Sequence, residues 1–544
     1  MFDRSATSGD PWQHRPDERP DPRAIRALDE LGRIIDAGDA AAANRYVRRS
    51  WSTLLRGDIE SLRRRLLDID QRQRSTYPLI LLLQAIATLP SRFRRAHAVR
   101  YFLQAVRTAR ALGDAMDPID RALVHTGDAV ACRVVGPHSR ARKTAAVAAE
   151  QLRQLDASQL AEVGGTALLF CQAGRSVNAA GDTAEALALF EEGLSAVNLD
   201  DPDEGFGNLA MLCGIHALDG ELAVAGDYLE FARTGPWSEQ VTRGYSGTWY
   251  RLAEAIAALE REDPGLATRH LDLMDHDPRT IEDWITIAGV AALIGVAAGR
   301  GPEALSELEQ TVAYRGREGR SPRARAALAP IRALLETAQG APGTAVATLK
   351  RDGAQGAVAC VALARALLAL DKPLDALQQA QRLPHLADGP PPVRFELEAL
   401  AIELAARIRI PSRSPGRSLP RRIGHLATAN GLRLPLMLLP PEDFAAVRDC
   451  LIEAGFAGVY GPHTRGLIEQ PHRLSKLTSR ERVVFDLIAA GASPQEIATS
   501  QFVSINTVKT QTRSIYRKLS LGGREELIVF ATQLGLPEAP RTGE

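Results

Sequence analysis

The sequence predicts an all-α protein: a solenoid of helix pairs followed by a small four-helix domain. Three observations carry that prediction. Apolar residues recur at helical spacing from about residue 24 to residue 410 with little strand-like alternation. A frame anchored on glycine returns about every 37 to 42 residues, the period of helix-pair arrays. Three helix-start signals crowd together after residue 472.

With 544 residues the chain must hold more than one core, and 45% hydrophobic with 24% charged residues excludes wholesale disorder and a fibrous protein. Sixty-six basic residues balance 66 acidic ones, so contact with nucleic acid has to come from a local basic surface. Cys132, Cys171, Cys213, Cys360 and Cys450 are odd in number and form no CxxC pair. They read as small buried hydrophobes in a reducing, cytoplasmic setting, with neither a disulfide framework nor a zinc site.

In chain order, residues 1–23 are rich in Pro, Asp and Arg and lack an apolar stretch, which predicts a disordered leader rather than a signal peptide. Residues 24–410 carry the frame: a Gly or its substitute, a small or apolar residue five on, and another apolar residue nine on. It reads Gly181, Ala186, Phe190; Gly220, Ala225, Leu229; Glu262, Ala267, Leu271; Gly299, Ala304, Leu308; Gly340, Ala345, Leu349; and Asp371, Ala376, Ala380. Gly38, Ala43, Val47 and Gly57, Leu62, Leu66 fit it earlier. Glycine ends the first helix in a tight turn, the small residue lets the two helices approach, and the larger one fills the groove between stacked pairs. An irregular helical domain without true repeats is the alternative. The apolar run 281–298 is Ala- and Gly-rich with charge nearby, which suits a buried helix better than a membrane span. No membrane contact is expected.

Residues 411–422, PSRSPGRSLPRR, read as a linker or exposed elbow. Residues 423–471 suggest an apolar segment, a proline stop and an amphipathic helix, forming a helical cap or connector to which the sequence assigns no role.

Residues 472–537 form the terminal domain, with 538–544 as a tail. Thr478 and Glu481 make a capping box, followed by an apolar stripe of Val483, Val484, Leu487 and Ile488 that Gly491 ends. Ser493 and Glu496 make a second box with Pro494 at the first helical position, leading into Ile497 and Ala498. A turn at 501–503 precedes Ser504, which can cap a third helix reaching about Leu519. At 100° per residue, Val508, Thr512, Ile515 and Leu519 lie within about 60° and face inward. Asn506, Lys509, Thr510, Arg513 and Arg517 fall on an arc of about 100° without an acidic residue. Such a face suits a DNA major groove, where Lys and Arg reach guanine edges and phosphates. Periodicity equally allows a solvated basic face on a helical bundle.

The strings LTSRERVVFDLIAAGASPQEIA (477–498) and VSINTVKTQTRSIYRKL (503–519) resemble the LuxR-type, or GerE/NarL-type, helix-turn-helix domain. Leu477, Thr478, Arg480 and Glu481 match the family's opening. Gly491, Glu496, Ile497 and Ala498 match its scaffold helix. Thr507, Val508, Lys509, Lys518 and Leu519 match its recognition-helix frame, with Ile515 inward. The resemblance implies base contacts from Lys509, Thr510 and Arg513, with Asn506, Thr507, Arg517 and Lys518 completing the DNA-binding set. Gln501 stands where leucine is usual and is expected to loosen the small core; Gln511 stands where histidine is common. The resemblance also implies a fourth helix over 524–534 that dimerises through Leu527, Ile528, Ala531 and Leu534.

AGDTAEALALFEEGL (180–194) resembles the second helix of a tetratricopeptide repeat. Large LuxR-type regulators combine such a helical region with an ATPase. Here none of the six lysines follows glycine, so no P-loop is present, and the early chain lacks the β/α alternation of a receiver domain. Scattered histidines and the absence of HExxH or GxSxG argue against an enzyme, and no cofactor or metal is expected. The sequence therefore predicts a sequence-specific DNA-binding transcriptional regulator. Its expected partners are double-stranded DNA, a second copy on that DNA, RNA polymerase, and a peptide, protein or small-molecule ligand on the inner surface of the repeats. The alternative is an adaptor whose terminal domain no longer binds DNA.

Overall fold

The computed structural model describes residues 22–88, 95–136, 138–197, 201–386, 389–410, 416–461, 464–468, 477–519 and 521–533. Among these residues every regular element is a helix. The leader lies outside them except for its last two residues, which open the helix Pro22–Asp36.

Six helix pairs follow the frame. They are Thr166–Asn178 with Thr183–Ser195, Phe206–Asp219 with Leu222–Thr234, and Thr248–Glu260 with Pro264–Asp272. Trp284–Ala297 with Gly301–Arg315, Pro322–Ala338 with Pro342–Arg351, and Gly356–Ala369 with Pro373–Ala380 continue the series. All six anchors between paired helices are left-handed: Gly181 and Gly220 at φ 93°, Glu262 at 64°, Gly299 at 68°, Gly340 at 74° and Asp371 at 60°. The turn is thus a requirement of the frame, which Glu262 and Asp371 meet at a steric cost of about 1–2 kcal/mol each. Gly220 is needed for space as well, because a Cβ there would lie 2.8 Å from the Arg394 backbone nitrogen. Five residues on, Ala186, Ala225, Ala267, Ala345 and Ala376 are wholly buried, as the close approach of paired helices demands. Gly38 keeps the left-handed turn but Gly57 does not, so the frame fades toward the amino end.

Each first helix packs on the first helix of the next pair, giving an inner row that runs from Thr166–Asn178 to Val393–Arg409. The second helices lie outside and keep one exposed face. The inner row is most completely covered at Thr248–Glu260, where every residue but Ala257 is buried.

Part of that cover comes from the segments read as a linker and as a helical cap or connector. The helix Ser418–Asn430 crosses the boundary between the two, and Ile423, Leu436 and Val447 share one core with Leu397 and Leu404. Residues 411–415 lie outside the description. Leu434 joins the core of the earlier pairs, and Leu438 and Ile468 pack with Trp284 and Leu328. Buried Glu260 fixes this segment, accepting from Arg394 Nη1 at 2.5 Å and from the N–H groups of Arg433 and Leu434 at 2.6 and 2.8 Å. Those two N–H groups open the short helix Leu434–Met437. Part of the inner row expected to hold a ligand is therefore packed by the chain's own residues, which meet Trp284 and Leu328 there. They bury apolar side chains there that would otherwise face water.

The run 281–298 forms the helix Trp284–Ala297, with Trp284, Ile287, Val290 and Ile294 buried. No helix among the described residues is long and apolar enough to cross a membrane. Four cysteines are buried and Cys450 is half-buried; burial pushes the Cys171 thiol up to about 11.

Candidate DNA-binding interface

The terminal domain has its own hydrophobic core, built by Ser479–Ala489, Pro494–Ser500, Ile505–Leu519 and Arg524–Gln533. Both capping boxes are present. The Thr478 N–H donates to Glu481 Oε2 at 2.7 Å and the Glu481 N–H to Thr478 Oγ1 at 3.3 Å, while Ser493 and Glu496 repeat the exchange at 2.6 and 3.3 Å. Pro494 takes the first helical position. Ser504 Oγ accepts from the Thr507 N–H at 3.1 Å, so it starts the third helix. Between the second and third helices Phe502 sits at φ 55° and is 96% exposed.

Val508, Ile515 and Leu519 face inward, against Val484, Phe485, Ile488, Ile497 and Ala498. Thr512 is only half-buried, at the edge of that side. In the first helix the expected stripe is shifted: Val483 is 41% exposed, whereas Phe485 is wholly buried and meets Phe530 edge-on at 6.3 Å. Gln501 is exposed, so its difference from the usual leucine removes nothing from the core. Gln511 is half-buried.

The orientation of the third helix depends on Glu481. Beyond its cap, this carboxylate accepts from Ser514 Oγ at 2.7 Å and Lys518 Nζ at 2.6 Å, both on the third helix. Burial alone would raise its pKa. The hydrogen bonds from Lys518, the Thr478 N–H and Ser514 outweigh burial and hold the carboxyl down at about 2. This lock was not legible in the sequence, which marks Glu481 only as a cap; its partners lie 33 and 37 residues away and follow no local pattern.

With the helix so held, Asn506, Thr507, Lys509, Thr510, Arg513 and Arg517 are all exposed. Lys509, Arg513 and Arg517 form no ion pair among the described residues, and the helix carries no acid. Two hydroxyls of the set are engaged locally, Thr510 Oγ1 donating to the Asn506 carbonyl at 2.9 Å and Thr507 Oγ1 meeting Ser504 Oγ at 2.8 Å.

The structure separates some expected site residues from this face. Lys518 belongs to the lock rather than to the reading face, because its ammonium is bonded to Glu481. Leu527 and Ala531 are buried in the domain's own core and are not available to a partner; Ile528 is half-buried and Leu534 lies outside the described residues. The last helix is instead tied inward at its start, where Arg524 Nη2 donates to the carbonyls of Gly491 and Ala492 at 2.8 and 3.0 Å.

Comparison with known proteins bears on this domain. Residues 475–531 match the family model of bacterial regulatory proteins, luxR family. A Mycobacterium bovis protein named as an HTH-type transcriptional regulator is 29% identical over 221 residues, covering 38% of this chain and 22% of the relative. The DNA-binding transcriptional activator DevR/DosR of Mycobacterium tuberculosis is 34% identical over 102 residues, 19% of this chain and 46% of the relative. The HTH-type transcriptional regulator MalT of Vibrio campbellii is 44% identical over 62 residues, 11% of this chain and 7% of the relative. The chain thus spans about a fifth of the first of these and under half of the second.

Proposed function

Taking residues 475–531 as a LuxR-family helix-turn-helix domain, we propose that the chain is a sequence-specific DNA-binding transcriptional regulator. The observation that carries this is the exposed, acid-free face of Ile505–Leu519, where Lys509, Arg513 and Arg517 have no ion-pair partner among the described residues and whose orientation the Glu481 lock fixes. Unpaired cations on a rigid helix need no rearrangement to meet phosphates and base edges. In this reading Lys509, Thr510 and Arg513 meet bases, Asn506 and Thr507 lie at the leading end, and Arg517 meets the backbone. Two copies pair on DNA through the outer side of the last helix, since Leu527 and Ala531 are engaged within the domain. The helical array is the interaction module that sets the availability of this domain in the cytoplasm, toward a ligand, a protein partner or RNA polymerase. Its accessible surface is that of the outer helices.

The test is selection of DNA from a random library by the full chain, repeated with Lys509→Ala and Arg513→Ala. An enriched sequence whose preference both variants weaken supports the reading. Failure to enrich any sequence would favour the adaptor.

A further inference from the structure

A second basic surface lies at the other end of the chain. Between residues 71 and 113 the sequence holds eight arginines and no Asp or Glu. Most of that stretch folds into Gln71–Thr76, Pro78–Thr88 and Arg95–Leu112. The first and last of these are joined where Gln104 Nε2 donates to Ser75 Oγ at 2.9 Å and Thr108 Oγ1 to the Ser75 carbonyl at 3.3 Å. On Arg95–Leu112, Arg100, Leu103, Arg107 and Arg110 lie on an arc of about 80° and are all exposed, with exposed Arg72 on the neighbouring helix.

These arginines differ from the others of the array. Arg142, Arg153, Arg233 and Arg332 are each paired with a carboxylate on another helix. Arg72, Arg100, Arg107 and Arg110 make no ion pair among the described residues. Of the acids that border the stretch, Asp70 caps Gln71–Thr76, and Asp114 is exposed at the far end, 3.9 Å from Arg121. In a chain of zero net charge, only a face kept clear of acids attracts a polyanion. The same property marks the reading face of the terminal domain.

We propose that Arg100, Arg107 and Arg110 form an auxiliary surface that binds the phosphate backbone of DNA flanking the operator. The inference rests on the DNA-binding function proposed above. The rise of a helix places Arg107 about 10 Å and Arg110 about 15 Å along the axis from Arg100, a straight row that a regularly charged duplex can follow. Contacts to phosphates alone position the duplex and add affinity without sequence preference.

The experiment compares full-length wild type with the R100Q/R107Q/R110Q and R100K/R107K/R110K variants. Each binds a selected site in a duplex of about 20 base pairs and in one of about 60. Three phosphate contacts steepen the slope of log affinity against log salt by about 2.7, equivalent to about 40-fold between 50 and 200 mM. Wild type and the lysine variant should show that added slope on the long duplex only, and the glutamine variant should lose it while matching wild type on the short one. Equal slopes for wild type and the glutamine variant on the long duplex overturn the proposal, as does a loss that is the same on both lengths. Absence of binding to either duplex by wild type removes the DNA-binding function itself, and this inference with it.

Discussion

Replacing Glu481 by glutamine should loosen the recognition helix while leaving the helical array as it is. Glu481 accepts from the Thr478 N–H, the Ser514 hydroxyl and the Lys518 ammonium. Glutamine retains one acceptor but leaves Lys518 without its counter-charge, and hydrogen bonds to charged groups contribute about 1.5–3 kcal/mol. In a domain this small, total stability is about 3–5 kcal/mol, so such a loss raises the open population roughly 10- to 150-fold. Hydrogen exchange by mass spectrometry on the full chain reads this directly: peptides from Ser479–Ala489 and Ile505–Leu519 should exchange faster by that factor, and peptides from 166–380 should not change. The effect should also depend on pH. The folded carboxyl is held at about 2 against an ordinary 4.5, so its contribution is complete above about pH 4.5 and is lost as pH falls toward 2. The ceiling is about 3 kcal/mol, reduced because the lock lies near solvent. Exchange at pH 3.5 and 6, each referred to the intrinsic rate at that pH, should show a gap between wild type and variant that is smaller at the lower value, by up to about tenfold, without closing. Equal protection of Ile505–Leu519 in both proteins at pH 6 would refute the lock.

Lys509→Ala and Arg513→Ala should each weaken binding to a selected site by about 1–3 kcal/mol with unchanged circular dichroism, as titrations by fluorescence anisotropy would show. Arg517→Ala should weaken all sequences alike and lower the salt slope by about 0.9, the signature of one phosphate contact. Val508→Asp should abolish binding by unfolding the domain, because Val508 is 1% exposed and has no partner for a carboxylate; a variant with normal exchange protection would mean the helix is rotated from this placement. Leu527→Ala should destabilise the domain by about 2–4 kcal/mol at every protein concentration, whereas a residue of a dimer interface would show a concentration-dependent effect.

The sequence was legible wherever the determinant is local. Both capping boxes, the Ser504 cap and the inward position of Val508, Ile515 and Leu519 follow from spacings of three, four and seven residues. So do the anchors: a left-handed turn between antiparallel helices needs a residue that tolerates positive φ, and glycine at four of the six positions marks the frame. Determinants between distant segments were not legible. Lys518 looks like another groove-facing cation until Glu481, 37 residues earlier, is seen beside it. Leu527 and Ala531 show one apolar side, but periodicity does not tell a core of the same chain from a partner's surface, and the structure gives them to Phe485 and Leu519. The role of 423–471 was hidden for the same reason, since Glu260 meets Leu434 across 174 residues.

That last contact bears on how a signal could reach the DNA-binding domain. Leu432, Leu434, Leu436, Met437, Leu438, Leu439 and Ile468 are all buried against the array, none more than 5% exposed. At about 1.5–3 kcal/mol for each side chain, their burial amounts to 10 kcal/mol or more before any polar contact is counted. A ligand of micromolar affinity supplies about 8 kcal/mol in total. Only the difference in its affinity for two arrangements can shift the equilibrium between them. Such a ligand therefore does not displace the segment from the inner row, and the buried Glu260 clamp opposes displacement further, because removing it leaves two helix-starting N–H groups and Arg394 without their acceptor. The segment is part of the array's core. Under the function proposed above, a signal acts from the outer helices or from surfaces such as the Arg100–Arg107–Arg110 face, where binding requires no buried contact to break.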